Sequence, residues 1–375
     1  MKFLLISNSS SSLLGFRLPL IKSLLDKKIE VHVAAPDVSP DSEAYYALTR
    51  LGIAVHEIPL KRTGMNPFLD FYTLFFMWRL MRRIKPYMVM GYTVKPVIYG
   101  SLAAMLAMVP RRFALITGLG FSFIEDQSGR RNILLYVVKF LYRISLKFCD
   151  VIFFQNRDDE ALFLKLQIIM EESKTCVVNG SGVDLEEFEF VETSMSTTAR
   201  FIFVGRLLGD KGIREYAKAA KAVKQLYPDV IFDVVGSLDK NPDSILKSEL
   251  DLWINEGFVN YLGYLKDVRP AIRNANVFVL PSYREGTPRS TLEAMSMGRA
   301  VITTDAPGCR ETVFEGVNGY LVPVKDVQSL ESAMLNFINN PDLIVTMGKA
   351  SREIATEKFD VNQVNSIMLK RIGVD

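Results

Sequence analysis

The sequence predicts two parallel-sheet α/β domains in succession, and three observations carry that reading. The chain opens on a strand–loop–helix–strand unit, as a doubly wound domain does: Lys2 to Ser7, Asn8 to Arg17, Leu18 to Lys27, then Glu30 to Ala35. Residues 185–199 lose periodicity and become polar and rich in Ser and Thr, the composition of a linker. The strand and helix alternation then restarts at Arg200. At 375 residues and 49% apolar composition, the chain has the length and the core for two domains. The expected organisation is an N-terminal domain over 1–184, a linker over 185–199, a second domain over 200–350 and a closing C-terminal helix over 351–375.

The elements follow in order. Asp41 to Leu51 reads as a helix and Ala54 to Ile58 as a strand. Pro67 to Ile84 reads as a long helix with apolar residues on several sides and Arg79, Arg82, Arg83 and Lys85 near its end. Tyr87 to Gly91 is a strand, Lys95 to Met108 an apolar helix, and Arg112 to Ile116 a strand ending in Thr117-Gly118-Leu119-Gly120. Glycines on a loop after a strand sit where open α/β sheets collect ligands, although such a pair also makes an ordinary turn. Arg130 to Lys147 is a basic helix without an acidic residue, Asp150 to Gln155 a strand, Asp158 to Leu166 a helix and Thr175 to Val178 a strand. In the second half the strands are Arg200 to Val204, Val230 to Val235, Asn260 to Leu262, Val277 to Leu280, Ala300 to Thr303 and Gly319 to Val322. The helices there are Gly212 to Leu226, Val268 to Ala275, the one ending near Gly298, Val327 to Asn339, and one or two over Pro341 to Lys370. A cleft between two such sheets, at the C-terminal ends of their strands, is the expected ligand site.

Composition narrows the chemistry. Cys149, Cys176 and Cys309 are few and widely spaced, as free thiols of a reducing compartment are. With only His32 and His56, a histidine metal site or a catalytic triad has little to draw on, and no Asp-x-Asp pair signals a metal-chelated diphosphate; neither a metal nor a cofactor is expected. The first loop lacks Gly-x-Gly-x-x-Gly, which argues against a dinucleotide enzyme. The longest uncharged apolar run, Val97 to Val109, is 13 residues, short of the roughly 20 a spanning helix needs. The net charge of +3 is uneven: residues 1–185 hold 23 Lys and Arg against 16 Asp and Glu. A basic N-terminal half points to an anionic partner such as a diphosphate or a membrane surface; no nucleic-acid partner is expected.

Two stretches carry the chemistry. In Leu280 to Gly298, a buried strand turns into a helix for which Thr287 suits the N-cap, Pro288 the first helical position and Gly298 the stop. Glu285 stands on the turn and Glu293 within the helix, with first-turn amides facing the same space; such a helix start attracts phosphate. A carboxylate on each side of a phosphate site suits a molecule with hydroxyls at both ends, although two glutamates at this spacing also suit a plain solvated helix start. In Phe201 to Gly212, Arg206 follows a strand and Lys211 opens a helix, a pair that suits a diphosphate, held by Arg as a fork and Lys as a point charge. A solvated basic loop is the alternative.

Gly-Arg-x4-Lys-Gly at 205–212, Glu-Gly-x-Pro-x4-Glu-Ala from Glu285 to Ala294, and Thr304-Asp-Ala-Pro-Gly308-Cys-Arg-Glu311 followed by Gly316-Val-Asn-Gly319 occur in this order. Together they resemble the nucleotide-sugar half of a retaining glycosyltransferase of family 4. The resemblance is strongest over 200–325. It implies the GT-B fold, two doubly wound Rossmann-like domains, the N-terminal one binding the acceptor. The Thr117–Gly120 loop and the Pro307–Glu311 turn resemble bacterial enzymes that add N-acetylhexosamine, notably N-acetylgalactosamine, to a sugar on polyprenyl diphosphate in O-antigen and N-linked oligosaccharide assembly.

The resemblance implies roles as well. Arg206 and Lys211 hold the donor diphosphate, Glu293 takes the ribose hydroxyls, Glu285 contacts the donor hexose, and the Gly286, Thr287 and Pro288 turn meets sugar or phosphate oxygens. Gly15 matches the glycine of the first loop, Thr117 lies where many relatives keep a histidine, and Gly118 beside it is expected to bind substrate. The expected substrates are a UDP-sugar and a polyprenyl-diphosphate-linked sugar. An epimerase of the same fold acting on UDP-N-acetylglucosamine is one rival, poorly served by two histidines; a non-catalytic partner subunit is the other, opposed by the intact Arg206, Lys211, Glu285 and Glu293. The expected location is the cytoplasmic face of the membrane. There the helix Arg130 to Lys147 docks peripherally through Leu134, Leu135, Val138, Leu141 and Tyr142 between Lys139, Arg143 and Lys147.

Overall fold

The computed structural model describes residues 1–61, 66–119, 129–193, 199–239 and 241–374. Gly120 and residues 194–198 of the expected linker lie outside the described residues, as do the side chains of Arg130, Arg131 and Leu134.

Apolar runs buried on both faces make the strands, the pattern of a parallel sheet covered on two sides. In the first unit these are β1 (Lys2–Ile6), β2 (Glu30–Ala35), β3 (Ala54–Glu57), β4 (Met88–Tyr92), β5 (Arg111–Ile116), β6 (Val151–Phe154) and β7 (Thr175–Val177). They pair in parallel in the order β3-β2-β1-β4-β5-β6-β7. The second unit repeats the plan with β8 (Arg200–Val204), β9 (Ile231–Val235), β10 (Asn260–Gly263), β11 (Val277–Leu280), β12 (Ala300–Thr304) and β13 (Gly319–Val322), in the order β10-β9-β8-β11-β12-β13. In both sheets the order reverses beside the first strand, between β1 and β4 and between β8 and β11. Crevices at such reversals, beyond the C-terminal strand ends, are where doubly wound sheets bind ligands.

The second core shows how polar groups are handled inside such a sheet. The Phe201 and Phe232 rings stack 5.2 Å apart, and the Tyr216 hydroxyl donates to the carbonyls of Phe201 and Asp233 at 3.2 and 3.0 Å. The buried Asp233 carboxylate accepts from Arg200 and Asn260, so its charge is fully partnered.

Met1–Ser181 and Val364–Asp375 form one unit, and Gly182–Gln363 the other. The last helix, Val361–Ile372, therefore begins in the second unit and places Val364, Met368, Leu369 and Ile372 in the core of the first, with Phe3, Leu5, Leu20 and Leu24. After Asp184, Phe188 is buried, its carbonyl accepts from Ser296 Oγ at 2.6 Å, and Arg352 donates to the same carbonyl at 3.1 Å.

Several expectations are corrected. Asn8 to Arg17 is not an open loop: Ser10–Ser12 is a helical turn and Leu13–Arg17 a π-helical one, running straight into the helix Leu18–Asp26. The i→i+5 turn admits one extra residue without breaking the helix. The strand expected at Tyr87 to Gly91 is Met88–Tyr92, and Lys247–Asn255 is a helix that the expected elements omitted. The helix Gly129–Lys147 does not offer its expected apolar face: Val138 and Tyr142 are buried in the core and Leu135 and Leu141 pack against it. All three cysteines are free.

Arg299 is 1% exposed and pairs with no carboxylate among the described residues; it donates instead to the carbonyls of Val191, Arg273, Ala275 and Met297. Burial pushes its guanidinium down to about 10. Arg299→Met keeps most of the volume and leaves the Val191 and Ala275 carbonyls without their arginine donor, so it is expected to destabilise the second unit by on the order of 3 kcal/mol. Thermal unfolding followed by circular dichroism measures this; an unchanged midpoint refutes it.

Candidate active site

The site in the second unit is built from two loops that leave neighbouring strands at the sheet's reversal point. The first follows β8. Gly205 lets the chain turn beside Gly236, and Arg206 then points outward, pairing with Asp239 at 3.2 Å. A 3₁₀ turn, Gly209–Lys211, leads through Gly212 into the helix Ile213–Leu226. Gly212 has φ +71°, and a Cβ there would run into the Pro281 carbonyl of the second loop, so only glycine permits this approach.

The second loop follows β11. Its join to the first is made by one backbone oxygen: the Asp210 carbonyl accepts from Tyr283 N at 2.8 Å and from Ser282 Oγ at 3.1 Å. From behind, Glu285 N donates to the Pro307 carbonyl at 2.9 Å. Gly308, at φ +78°, leaves room for the Glu285 and Gly286 carbonyls where a Cβ would collide. Cys309 donates weakly to Ser282 O at 3.6 Å, and burial pushes its thiol up to about 12, which suits packing and not reaction.

These supports bring Lys211 Nζ and Glu285 Oε1 into a hydrogen-bonded ion pair, with side chains 16% and 15% exposed. Glu293, on the helix Arg289–Ser296, accepts from Arg289 Nε at 2.8 Å. Burial holds its carboxyl above the ordinary value, and Arg289 works against that rise. The Asp210 carboxyl is also raised by burial, Lys211 opposing it. One expectation is corrected here: Pro288 and not Thr287 occupies the N-cap, with extended φ/ψ of −71° and 112°, no side chain caps the helix, and Arg289 is its first residue. Thr287 is buried, and Gly298 follows the C-cap with φ +78°.

The remaining candidates belong to the first unit. Gly15 lies in the π-helical turn after β1, and a Cβ there would meet nothing within 4 Å. Thr117 follows β5 directly, and Gly118 has φ +103°. Four residues at this unit's own reversal point had not been anticipated: Ser12, Arg17, Tyr92 and Thr93. Arg17 is buried with its guanidinium 5.2 Å from the Tyr92 ring, whose hydroxyl accepts from Ser12 Oγ at 3.1 Å. Thr93, just after β4, has φ +68° and ψ 169°, a strained conformation for a β-branched residue. In the second unit Arg289 and the Asp210–Ser282–Tyr283 join had not been anticipated either. The Arg289 to Glu293 spacing of four on a helix was a readable signal, whereas the join is made by main-chain atoms that no residue type betrays.

Two family descriptions match the chain: "Glycosyl transferase 4-like" over residues 2–156 and "Glycosyl transferases group 1" over residues 198–340. The chain is 30% identical over 377 residues to the N,N'-diacetylbacillosaminyl-diphospho-undecaprenol alpha-1,3-N-acetylgalactosaminyltransferase of Campylobacter jejuni, covering 97% of this chain and 96% of that one. It is 27% identical over 316 residues to the UDP-Gal:alpha-D-GlcNAc-diphosphoundecaprenol alpha-1,3-galactosyltransferase of Escherichia coli, covering 81% and 79%. In fold it is similar to HepE of Anabaena in complex with UDP, at TM-score 0.76 and 20% identity over 99% of both chains. Two Rossmann-like sheets and a full-length match at 30% identity make this chain a glycosyltransferase of the group 1, family 4-like family.

Proposed function

We propose that the chain is a retaining, metal-independent transferase that moves an N-acetylhexosamine, N-acetylgalactosamine first, from its UDP-sugar to a sugar carried on polyprenyl diphosphate. The observation that supports this reading best is the Lys211–Glu285 pair, held between two joined loops at the C-terminal strand ends of the second sheet. Lys211 is held in place by Glu285, and Arg206 stands on the same loop. The acceptor and the donor sugar are read from the Campylobacter relative, whose name specifies both, and from the coverage of nearly the whole chain.

In the proposed reaction the C1–oxygen bond to the diphosphate breaks and the acceptor hydroxyl oxygen bonds to C1 on the same face. The acceptor proton passes to the departing phosphate oxygen, so no protein base is needed. The protein's part is to orient both substrates and to meet the charge that grows on the diphosphate. Lys211 and Arg206 do the second. Glu285 shares Lys211 with that phosphate and contacts the hexose; Glu293, steadied by Arg289, takes the ribose diol. Gly286, Thr287 and Pro288 line the turn between the two glutamates. Gly15, Thr117 and Gly118 are read as acceptor-side positions in the N-terminal domain. A lipid-borne acceptor keeps its reactive sugar at the bilayer, so the enzyme is read as working on the cytoplasmic membrane face without spanning it. Among the described residues no helix is long and apolar enough to cross a membrane.

The deciding experiment is incubation of the purified chain with a panel of UDP-sugars and a short-chain polyprenyl-diphosphate sugar. Transfer of N-acetylgalactosamine with retained anomeric configuration is expected; transfer of a different sugar, or an inverted product, overturns that part. Lys211→Ala is expected to lower turnover on the order of 100-fold, as loss of one preorganised oxyanion donor does; near wild-type turnover removes Lys211 from the diphosphate. Glu293→Ala is expected to weaken UDP itself in calorimetric titration, whereas Glu285→Ala spares UDP and damages transfer. Equal losses of UDP affinity mean the two roles are misassigned. Activity is expected to survive EDTA, with two cations where other transferases place a metal. A strict need for manganese or magnesium sinks that electrostatic scheme.

A further inference from the structure

The helix Pro67–Ile84 has two apolar faces where one suffices to hold it. Thr73, Met77, Leu80, Met81 and Ile84 are buried against the first sheet. On the opposite side Phe68, Phe71, Tyr72 and Phe75, spaced i, i+3, i+4 and i+7, are 87%, 70%, 53% and 47% exposed. At 3.6 residues per turn the same outward face continues into Arg79, Arg82 and Arg83, all exposed. The helix's one acidic residue, Asp70, turns inward and pairs with Lys95 of the helix Val94–Leu106 at 2.8 Å.

A second helix repeats the pattern. The helix Val94–Leu106 packs against both Pro67–Ile84 and Gly129–Lys147, so the three form one layer on one side of the first sheet. On Gly129–Lys147, Tyr136 and Phe140 are 72% and 53% exposed, and Arg143 and Lys147 lie on the same outward face. Each helix crosses back between parallel strands and therefore runs against them. In Pro67–Ile84 the aromatic end thus lies toward the C-terminal strand ends and the basic end away from them, and in Gly129–Lys147 Arg143 and Lys147 likewise lie beyond the mid-helix Tyr136 and Phe140. A run of outward aromatic rings this long is not what a soluble surface needs.

We infer that the outward faces of Pro67–Ile84 and Gly129–Lys147 form a docking surface for an anionic lipid bilayer. The aromatic rings enter the interface, and the basic residues meet headgroup phosphates. The charge pattern selects this occupant over a second copy of the chain. The two outward faces carry Arg79, Arg82, Arg83, Arg143 and Lys147 and no carboxylate, so a second copy of the patch brings these cations no anion, whereas an anionic bilayer does. The inference deepens the reading of a lipid-borne acceptor: aromatic residues at the end where ligands collect bring that end of the unit to the bilayer.

The test is co-sedimentation of the full chain with phosphatidylcholine vesicles, with and without phosphatidylglycerol. Binding is expected to require phosphatidylglycerol and to fall as salt rises. Phe68→Ser, Phe71→Ser and Phe75→Ser combined are expected to weaken it at least about tenfold, because binding scales with the apolar area inserted. Arg79→Gln, Arg82→Gln and Arg83→Gln combined are expected to weaken binding and to reduce its salt dependence. The aromatic variant replaces exposed residues, so its unfolding midpoint and its transfer to a water-soluble short-chain acceptor are expected to stay unchanged. Wild-type binding by the aromatic variant overturns the inference, as does a wild-type chain that ignores both vesicles. A dimer in sedimentation velocity that this variant splits, with vesicle binding intact, assigns the surface to a second copy. If vesicle binding behaves as stated but no polyprenyl-diphosphate sugar accepts a donor sugar, the docking surface stands and the acceptor reading falls.

Discussion

The Asp210 carbonyl oxygen, accepting from Tyr283 N and Ser282 Oγ, is the contact on which the candidate site depends. It joins loops that are some seventy residues apart in sequence and that leave neighbouring strands of one sheet. The sheet aims them together, since β8 and β11 pair directly. The join then sets the separation between the cation-bearing turn and the carboxylate-bearing one. Gly212 and Gly308 allow it from either side, because each faces carbonyl oxygens that a side chain would displace. Thr304 Oγ1 adds a further anchor by donating to Ser282 O. Lys211 and Glu285 are thus held as parts of one rigid piece.

A partly buried ion pair of this kind is poor value as a stabilising device. Desolvating both charges costs roughly what their attraction returns. In the proposed reaction the pair keeps a cation ordered in a region with little water, where its field on an arriving anion is stronger than at the surface. The same holds for Glu293, which burial alone would drive toward neutrality and which Arg289 holds back. Arg206, more exposed and paired with Asp239, is the looser of the two cations.

The strands and most helices were legible because apolar runs and turn residues mark them locally. The motif spacing at 205–212 and 285–294 brought out Arg206, Lys211, Glu285 and Glu293 for the same reason. Four things were not legible. The Lys211–Glu285 pair depends on strand order, which no local pattern encodes. The π-helical turn at Leu13–Arg17 looked like a loop, because serines and a glycine favour loops and the extra residue has no composition of its own. The helix Gly129–Lys147 was oriented wrongly: its rows of apolar residues on two sides offered no means of telling core from surface, and Val138 and Tyr142 went to the core. Pro288 took the cap position because its fixed φ also suits extended backbone, leaving Thr287 buried one residue earlier.

The last helix, which ends in the core of the first unit, sets a condition on biosynthesis. Phe3, Leu5, Leu20 and Leu24 share that core with Val364, Met368, Leu369 and Ile372. Those partners leave the ribosome only after the whole of Gly182–Gln363. At roughly 5–20 residues per second, the first unit waits on the order of ten seconds or more for them. Through that interval one side of its sheet lacks part of its cover, and the nascent chain exposes apolar surface that a chaperone can recognise. A chain cut short before Val364 is then left open in its oldest part, although all of that part has been made.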